Sequence, residues 1–239
     1  MAKSTKSATL IGPAYDKTGD IWLTNQDTLR KLVGSLGMLL PLFLYLGLQL
    51  DSNFSGILPS ISHYYYSRIG SILVIVVSLM AIFLLIYKGE ERKDFYASSL
   101  AGIAALLLLL FPTNNLGDYP GRFEGVTVTV LRDNAFRSTF HYVNAAIFLG
   151  SLAYICFFLF TKSDVPPSKR TKNKKIRNRI YRVCAIIMAA AMLLILLGFI
   201  FSPPWYDEKN ITFWMEVVAV EAFGYAWAVK GKSFFTDRS

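Results

Sequence analysis

Residues 183–201 read VCAIIMAAAMLLILLGFIF, an unbroken apolar run without a charge. A helix rises about 1.5 Å per residue, so a run of this length spans a hydrocarbon core of about 30 Å. The run is entered from the basic tract Lys169 to Arg182 and left through Ser202, Pro203 and Pro204. A basic entrance and a proline exit are the marks of a spanning helix anchored at its cytoplasmic end.

Five further segments of the same kind lie around it. They run over Leu32–Leu50, Ile69–Tyr87, Phe95–Phe111, Thr139–Thr161 and Ile211–Val229, each bounded by charges or by proline and turn residues. The reading is an all-α, polytopic membrane protein: a six-transmembrane-helix bundle over 32–229, a cytoplasmic N-terminal segment 1–31 and a cytoplasmic tail 230–239. Hydrophobic residues make up 54% of the chain, enough to place it in the membrane class before any motif is considered. The polar start, Met1 to Arg30, lacks the apolar core and small-residue cleavage site of a signal peptide, so the first span is expected to do the targeting.

Orientation follows from the loops. With the N-terminus inside, 20 of the 25 Lys and Arg residues fall on the cytoplasmic side, and only Arg68, Arg122, Arg132, Arg137 and Lys209 fall outside. Trp205 and Trp214 at one level and Trp22 and Trp227 at the other fit interfacial belts. The same loops account for the net charge of +9, which otherwise suggests nucleic acid; no nucleic-acid partner is expected. The tract Lys169–Arg182 reads as a topology anchor able to touch anionic headgroups. The expected partners are membrane lipid and a second copy of the chain in a homo-oligomer, and the expected location is the cell membrane, multi-pass, the cytoplasmic membrane in a bacterium.

Cys156 and Cys184 fall inside apolar runs and form neither a disulfide framework nor a CxxC site. The long outer loop contains Gly125 to Leu131, whose alternating β-branched residues predict a short strand or an extended cap over the bundle. His63-Tyr64 ahead of the second helix and His141-Tyr142 at the head of the fourth open hairpins that return to Pro112 and Pro203, a pattern that suggests two parallel repeats.

Polar residues at membrane depth mark function by default. His63 sits just before the second helix, His141 and Asn144 share a face of the fourth, and Glu216 lies below the outer end of the sixth. Glu221 lies near mid-bilayer, about 140° around the helix from Glu216, and is expected to face another helix or a hydrated cavity. His63, His141 and Glu216 are expected to meet beneath the outer loops, with Tyr64 and Asn144 beside them. Four readings fit such a cluster. It is a hydrogen-bond network locking helix ends. It is a zinc site of His63, His141 and Glu216 in a metal-dependent lipid hydrolase or transferase. It is a ligand-binding pocket for a lipid headgroup or small solute, made by His63, Tyr64, His141, Asn144, Glu216 and Glu221. It is a haem site between the two imidazoles.

No HExxH, GxSxG or GxxxxGK[ST] motif is present, so Ser60 and Ser62 are weak nucleophiles and an NTP-driven machine is not indicated. Asp94, beside Arg92 and Lys93, reads as paired there. The inner halves of the helices are almost wholly apolar, which argues against a pore within one subunit; an oligomeric channel or membrane effector stays open.

Ser-Ile-Ser-His-Tyr-Tyr-Tyr at 60–66, Tyr-Lys-Gly at 87–89 and Phe-His-Tyr at 140–142 give the chain a resemblance to bacterial six-helix membrane proteins of unknown function allied with the Frag/DRAM/Sfk-like superfamily. The hydropathy pattern agrees along nearly the whole chain. The resemblance implies a six-helix bundle whose relatives are tied to lipid organisation, GPI-lipid processing or membrane stress, and it brings no catalytic residue with it.

Overall fold

The computed structural model describes residues 25–51, 54–89, 91–119, 121–123, 125–163 and 165–235. Trp22, the basic residues Lys3, Lys6 and Lys17 and the tail residue Arg238 lie outside them. Among the described residues the regular structure is entirely helical. The helices are α1 (Gln26–Asp51), α2 (Gly70–Ile86), α3 (Arg92–Leu110), α4 (Ala135–Tyr154, continued by a π turn Ile155–Leu159), α5 (Lys172–Phe201), the short α6 (Pro204–Glu208) and α7 (Ile211–Lys230).

Four of them, α1, α3, α4 with its π turn, and α5, are long and apolar enough to cross a membrane. The two other long helices miss that standard for visible reasons. At 17 residues α2 is short, and the two glutamates and Lys230 lower the hydropathy of α7.

Capping explains why three helices start earlier than their apolar runs. Asn25 accepts the Asp27 backbone N–H at 2.9 Å, so α1 takes in the polar turn before Leu32. At α3, Glu91 and Asp94 form a reciprocal capping box in which Asp94 accepts the Glu91 N–H at 2.8 Å. Asp94 is therefore a buried cap, where the sequence suggested a partner for Arg92 and Lys93. The cap packs against Gly89 at φ +68°, where a Cβ would lie 2.1 Å from that of Asp94. Thr171 caps α5, accepting the Lys174 N–H at 3.1 Å, and the basic tract from Lys172 to Arg182 is helix rather than loop.

The long helices pack as a closed ring in chain order: α1 on α2, α2 on α3, α3 on α4, α4 on α5, α5 on α7, and α7 back on α1. The α1–α7 seam is made of small residues, which let two backbones approach closely. A Cβ on Gly34 would stand 2.7 Å from the Gly224 carbonyl oxygen and 2.9 Å from the Ala228 nitrogen. Inside the ring, the end where α1 begins and α7 finishes is filled by Tyr87, Phe160, Phe223 and Trp227, with ring centroids 5.3–5.6 Å from Trp227. Trp227 is fully buried, against the expectation of an interfacial belt, while Trp205 and Trp214 are exposed. The outward faces are apolar, as with Leu42, Ile75, Ile103 and Leu196.

Two other expectations resolve at the opposite end. The segment 125–131 forms no strand: it begins in a turn, with the Val126 N–H donating to Phe123 O at 3.2 Å, and joins Ser67 by a single antiparallel bridge at Thr127. His63 lies in a 3-10 turn, Ser62–Tyr66, whereas His141 lies within α4. Tyr64 is buried and Tyr142 exposed, so the two His-Tyr pairs occupy unlike positions and do not mark repeats.

Candidate functional site

The segment Pro59 to Ser67 folds inward over the mouth of the ring. Its 3-10 turn is held by His63 N–H to Ser60 O and Tyr64 N–H to Ile61 O, both at 3.2 Å. The start of α7 docks onto it: the Phe213 N–H donates to Pro59 O at 3.1 Å, and Glu216 Oε2 accepts the Ile61 N–H at 2.5 Å. The segment joining α3 to α4 closes over the top. Tyr66 OH donates to Thr113 O, the Asn115 side-chain amide donates through Nδ2 to Leu131 O and accepts the Leu131 N–H at Oδ1, and Arg122 reaches Asp207 O and Asn210 Oδ1.

His141 enters from α4. Its Nδ1 faces two acceptors, Phe111 O at 2.9 Å and Leu108 O at 3.2 Å, so Nδ1 carries the proton. In the neutral ring Nε2 is then the acceptor, and the Ser62 hydroxyl donates to it at 3.0 Å. Ser62 ties the turn to α4 as Glu216 ties it to α7.

Beneath the turn lies a cavity of about 80 Å³. Its walls are apolar and come from five helices or their ends: Leu40 of α1, Leu73 and Val77 of α2, Leu108 of α3, Ala145 and Phe148 of α4, and Val220 of α7. The side chains on it that carry polar atoms are Ser62, Tyr65, His141 and Glu216. Such a site suits an apolar body with one hydrogen-bonding group; bare charge would meet too little polar surface.

The expected cluster is assembled in part. His141 and Glu216 share the cavity. His63 stands behind the turn, with its Nδ1 2.6 Å from Ser60 Oγ and its ring edge-on to Tyr119 at 5.8 Å. Ser60 Oγ also accepts the His63 backbone N–H at 3.3 Å, and the far ring nitrogen of His63, Nε2, is buried without a partner among the described residues. Burial, then the charge of His141, pushes His63 down to about 3. Tyr64 is fully buried against Phe213, its phenol pushed up to about 12 by burial, and it does not line the cavity. Asn144 spends its amide within α4, donating to Phe140 O at 2.8 Å.

Three expectations fail. Among the described residues no group of three or more His, Cys, Asp or Glu side chains is placed to hold a metal ion. The zinc triad His63, His141 and Glu216 is not formed, because His63 Nδ1, both nitrogens of His141 and one Glu216 oxygen are engaged by separate neighbours. The same engagement of both His141 nitrogens leaves no free ligand for a haem iron. Glu221 is exposed on the outer surface, in line with Trp214, Val218 and Tyr225. Five residues separate it from Glu216, so a helix that turns Glu216 inward turns Glu221 outward.

Ser62 and the apolar lining were not singled out by sequence. The signal available was Ser62 in the turn ahead of α2, read only as an unsupported nucleophile.

Comparisons of the chain with protein families, with curated proteins and with solved structures gave no match.

Proposed function

We propose that this chain is a multi-pass protein of the cell membrane, crossing six times with both termini cytoplasmic, which binds or senses a lipid or small ligand through the cavity beneath its outer loops. The six long helices, their apolar outward faces and the 20 to 5 distribution of basic residues support the topology. In this reading α2 and α7 span because they sit in the same ring as the four helices that are both long and apolar enough to cross. Glu216 is engaged by the Ile61 N–H inside the ring and does not meet lipid.

The observation that carries the ligand reading is the cavity itself: apolar walls from α1, α2, α3, α4 and α7, and one polar end made by Ser62, His141 and Glu216. Its occupant is a small amphipathic molecule, or the end of a lipid, with one group that exchanges a hydrogen bond with that polar end. A volume of about 80 Å³ is below the 150 Å³ or so that holds a benzene ring, so a larger ligand enters by moving the turn Ser62–Tyr66. Native mass spectrometry of the detergent-purified protein tests this. The wild type should carry an added small-molecule mass that Ala145→Phe, which fills the cavity, lacks. Equal adducts in both folded proteins would contradict the assignment.

A second reading concerns assembly. The exposed Glu221 lies at the middle of α7, about 15 Å from either helix end. A carboxyl group facing hydrocarbon there costs about 2.5–3.5 kcal/mol even on lenient scales. A second copy of the chain covering the Trp214, Val218, Glu221 and Tyr225 face removes that cost, which favours a homo-oligomer.

A further inference from the structure

The outer surface between α3 and α4 carries a groove of about 680 Å³, separate from the central cavity. One end is polar: Lys93, Tyr96 and Tyr154 gather where α3 begins and α4 ends. From there the groove runs along Ala97 and Gly150, small residues that leave its floor open, to Leu100, about 10 Å along the helix from Lys93. Tyr96, Leu100 and Tyr154 are 67%, 50% and 44% exposed. Lys93 forms no ion pair among the described residues.

We infer that this groove is a binding site for one anionic phospholipid of the leaflet at the Lys93 end. The headgroup phosphate takes the Lys93 ammonium and the two tyrosine hydroxyls, and an acyl chain lies along Ala97, Gly150 and Leu100. The order of chemistry along the groove is that of a phospholipid: positive charge and phenols at the interface, then a strip of Ala97, Leu100, Ala146, Ile147 and Gly150 that is apolar but for Ser151. In the proposed orientation this end is cytoplasmic, where anionic lipids concentrate and an interfacial lysine is favoured. Tyr96 and Tyr154 add phenols suited to the headgroup level. The inference rests on the six-span reading and is independent of the central cavity.

The structure also offers a variant that narrows the groove. A Cβ on Gly150 meets nothing nearer than the Met192 Cε of α5 at 3.9 Å, so a side chain starts there without a clash, and an unchanged Tm beside the wild type checks that Gly150→Leu is folded. The test reconstitutes the full chain in phosphatidylcholine vesicles containing trace phosphatidylglycerol with a diazirine on one acyl chain, and maps the crosslinks by mass spectrometry. Trace diazirine-phosphatidylcholine serves as the comparison. In the wild type, crosslinks should concentrate on 96–100 and 147–154 and favour phosphatidylglycerol about fivefold. Lys93→Gln should bring that preference close to one, and Gly150→Leu should remove the crosslinks from both segments. Equal crosslinking of these segments and the exposed α5 face at Leu196 and Phe199, absence of a headgroup preference, or an unaffected Gly150→Leu protein overturns the site while leaving the spans in place. Absence of crosslinks on all these faces overturns the six-span reading and the site with it.

Discussion

Lowering the pH from 7 to 5 charges His63 in the unfolded chain but not in the folded one. Its ordinary value of 6.5 is pushed down to about 3, first by burial and then by the charge of His141. Between those values the unfolded state binds more protons than the native state, so stability is full above about pH 6.5 and declines as the pH falls toward 3. The group is 5% exposed, so solvent screens little of the effect. From pH 7 to 5 the unfolded chain gains about 2 kcal/mol at about 1.36 kcal/mol per unit. In a domain of this size that corresponds to a drop of about 4–8 °C in Tm. The assay is tryptophan fluorescence on heating the detergent-purified protein at both pH values, beside His63→Gln, whose amide can still hydrogen-bond the Ser60 hydroxyl. Groups common to both proteins cancel in the difference. The wild type should lose more Tm than the variant by that amount, and an identical loss in both would refute a buried neutral His63.

Three further outcomes are expected. Gly34→Ala forces α1 and α7 apart, because its Cβ would stand 2.7 Å from the Gly224 carbonyl oxygen, and should cost about 1–3 kcal/mol in thermal or denaturant unfolding, whereas Gly150→Ala should change little. Equal effects would contradict the packing of that seam. Glu216→Ala leaves the Ile61 N–H without its 2.5 Å acceptor and should cost about 1–3 kcal/mol, most of it recovered by Glu216→Gln; Tm values of the two variants decide this. Glu221→Leu should keep the wild-type Tm but shift crosslinked species in vesicles from oligomer to monomer, and an unchanged crosslinking pattern would argue against α7 as the contact between copies.

The apolar runs located the helices because hydropathy reports directly on long uncharged segments. For Ile69–Tyr87 and Ile211–Val229 the structure gives Gly70–Ile86 and Ile211–Lys230. The start of α5 was not legible in the same way. Lys172 to Arg182 carries too much charge to look like a span, yet Lys and Arg are good helix formers and Thr171 supplies the cap. In the site, depth was legible and direction only partly so. His141 and Glu216 do face one cavity, but the 140° between Glu216 and Glu221 already meant that both could not point inward. His63 was read as a member of the cluster from its level alone. The local turn that hands its Nδ1 to Ser60 is a matter of backbone geometry, which composition and spacing do not encode. Trp227 misled for a related reason: a tryptophan near a helix end suits an interface, and here the rings of Tyr87, Phe160 and Phe223 enclose it instead.

The six-span topology is tested most directly by labelling single cysteines in intact cells. With Cys156→Ala and Cys184→Ala removing the native thiols, Gly121→Cys lies in the segment between α3 and α4 and Thr171→Cys caps the basic helix α5. A membrane-impermeant maleimide added outside should modify the residue 121 thiol at once and the residue 171 thiol only after the membrane is opened. Labelling of residue 171 from outside, or of both positions from one side, would contradict the orientation and with it the placement of the cavity at the outer surface.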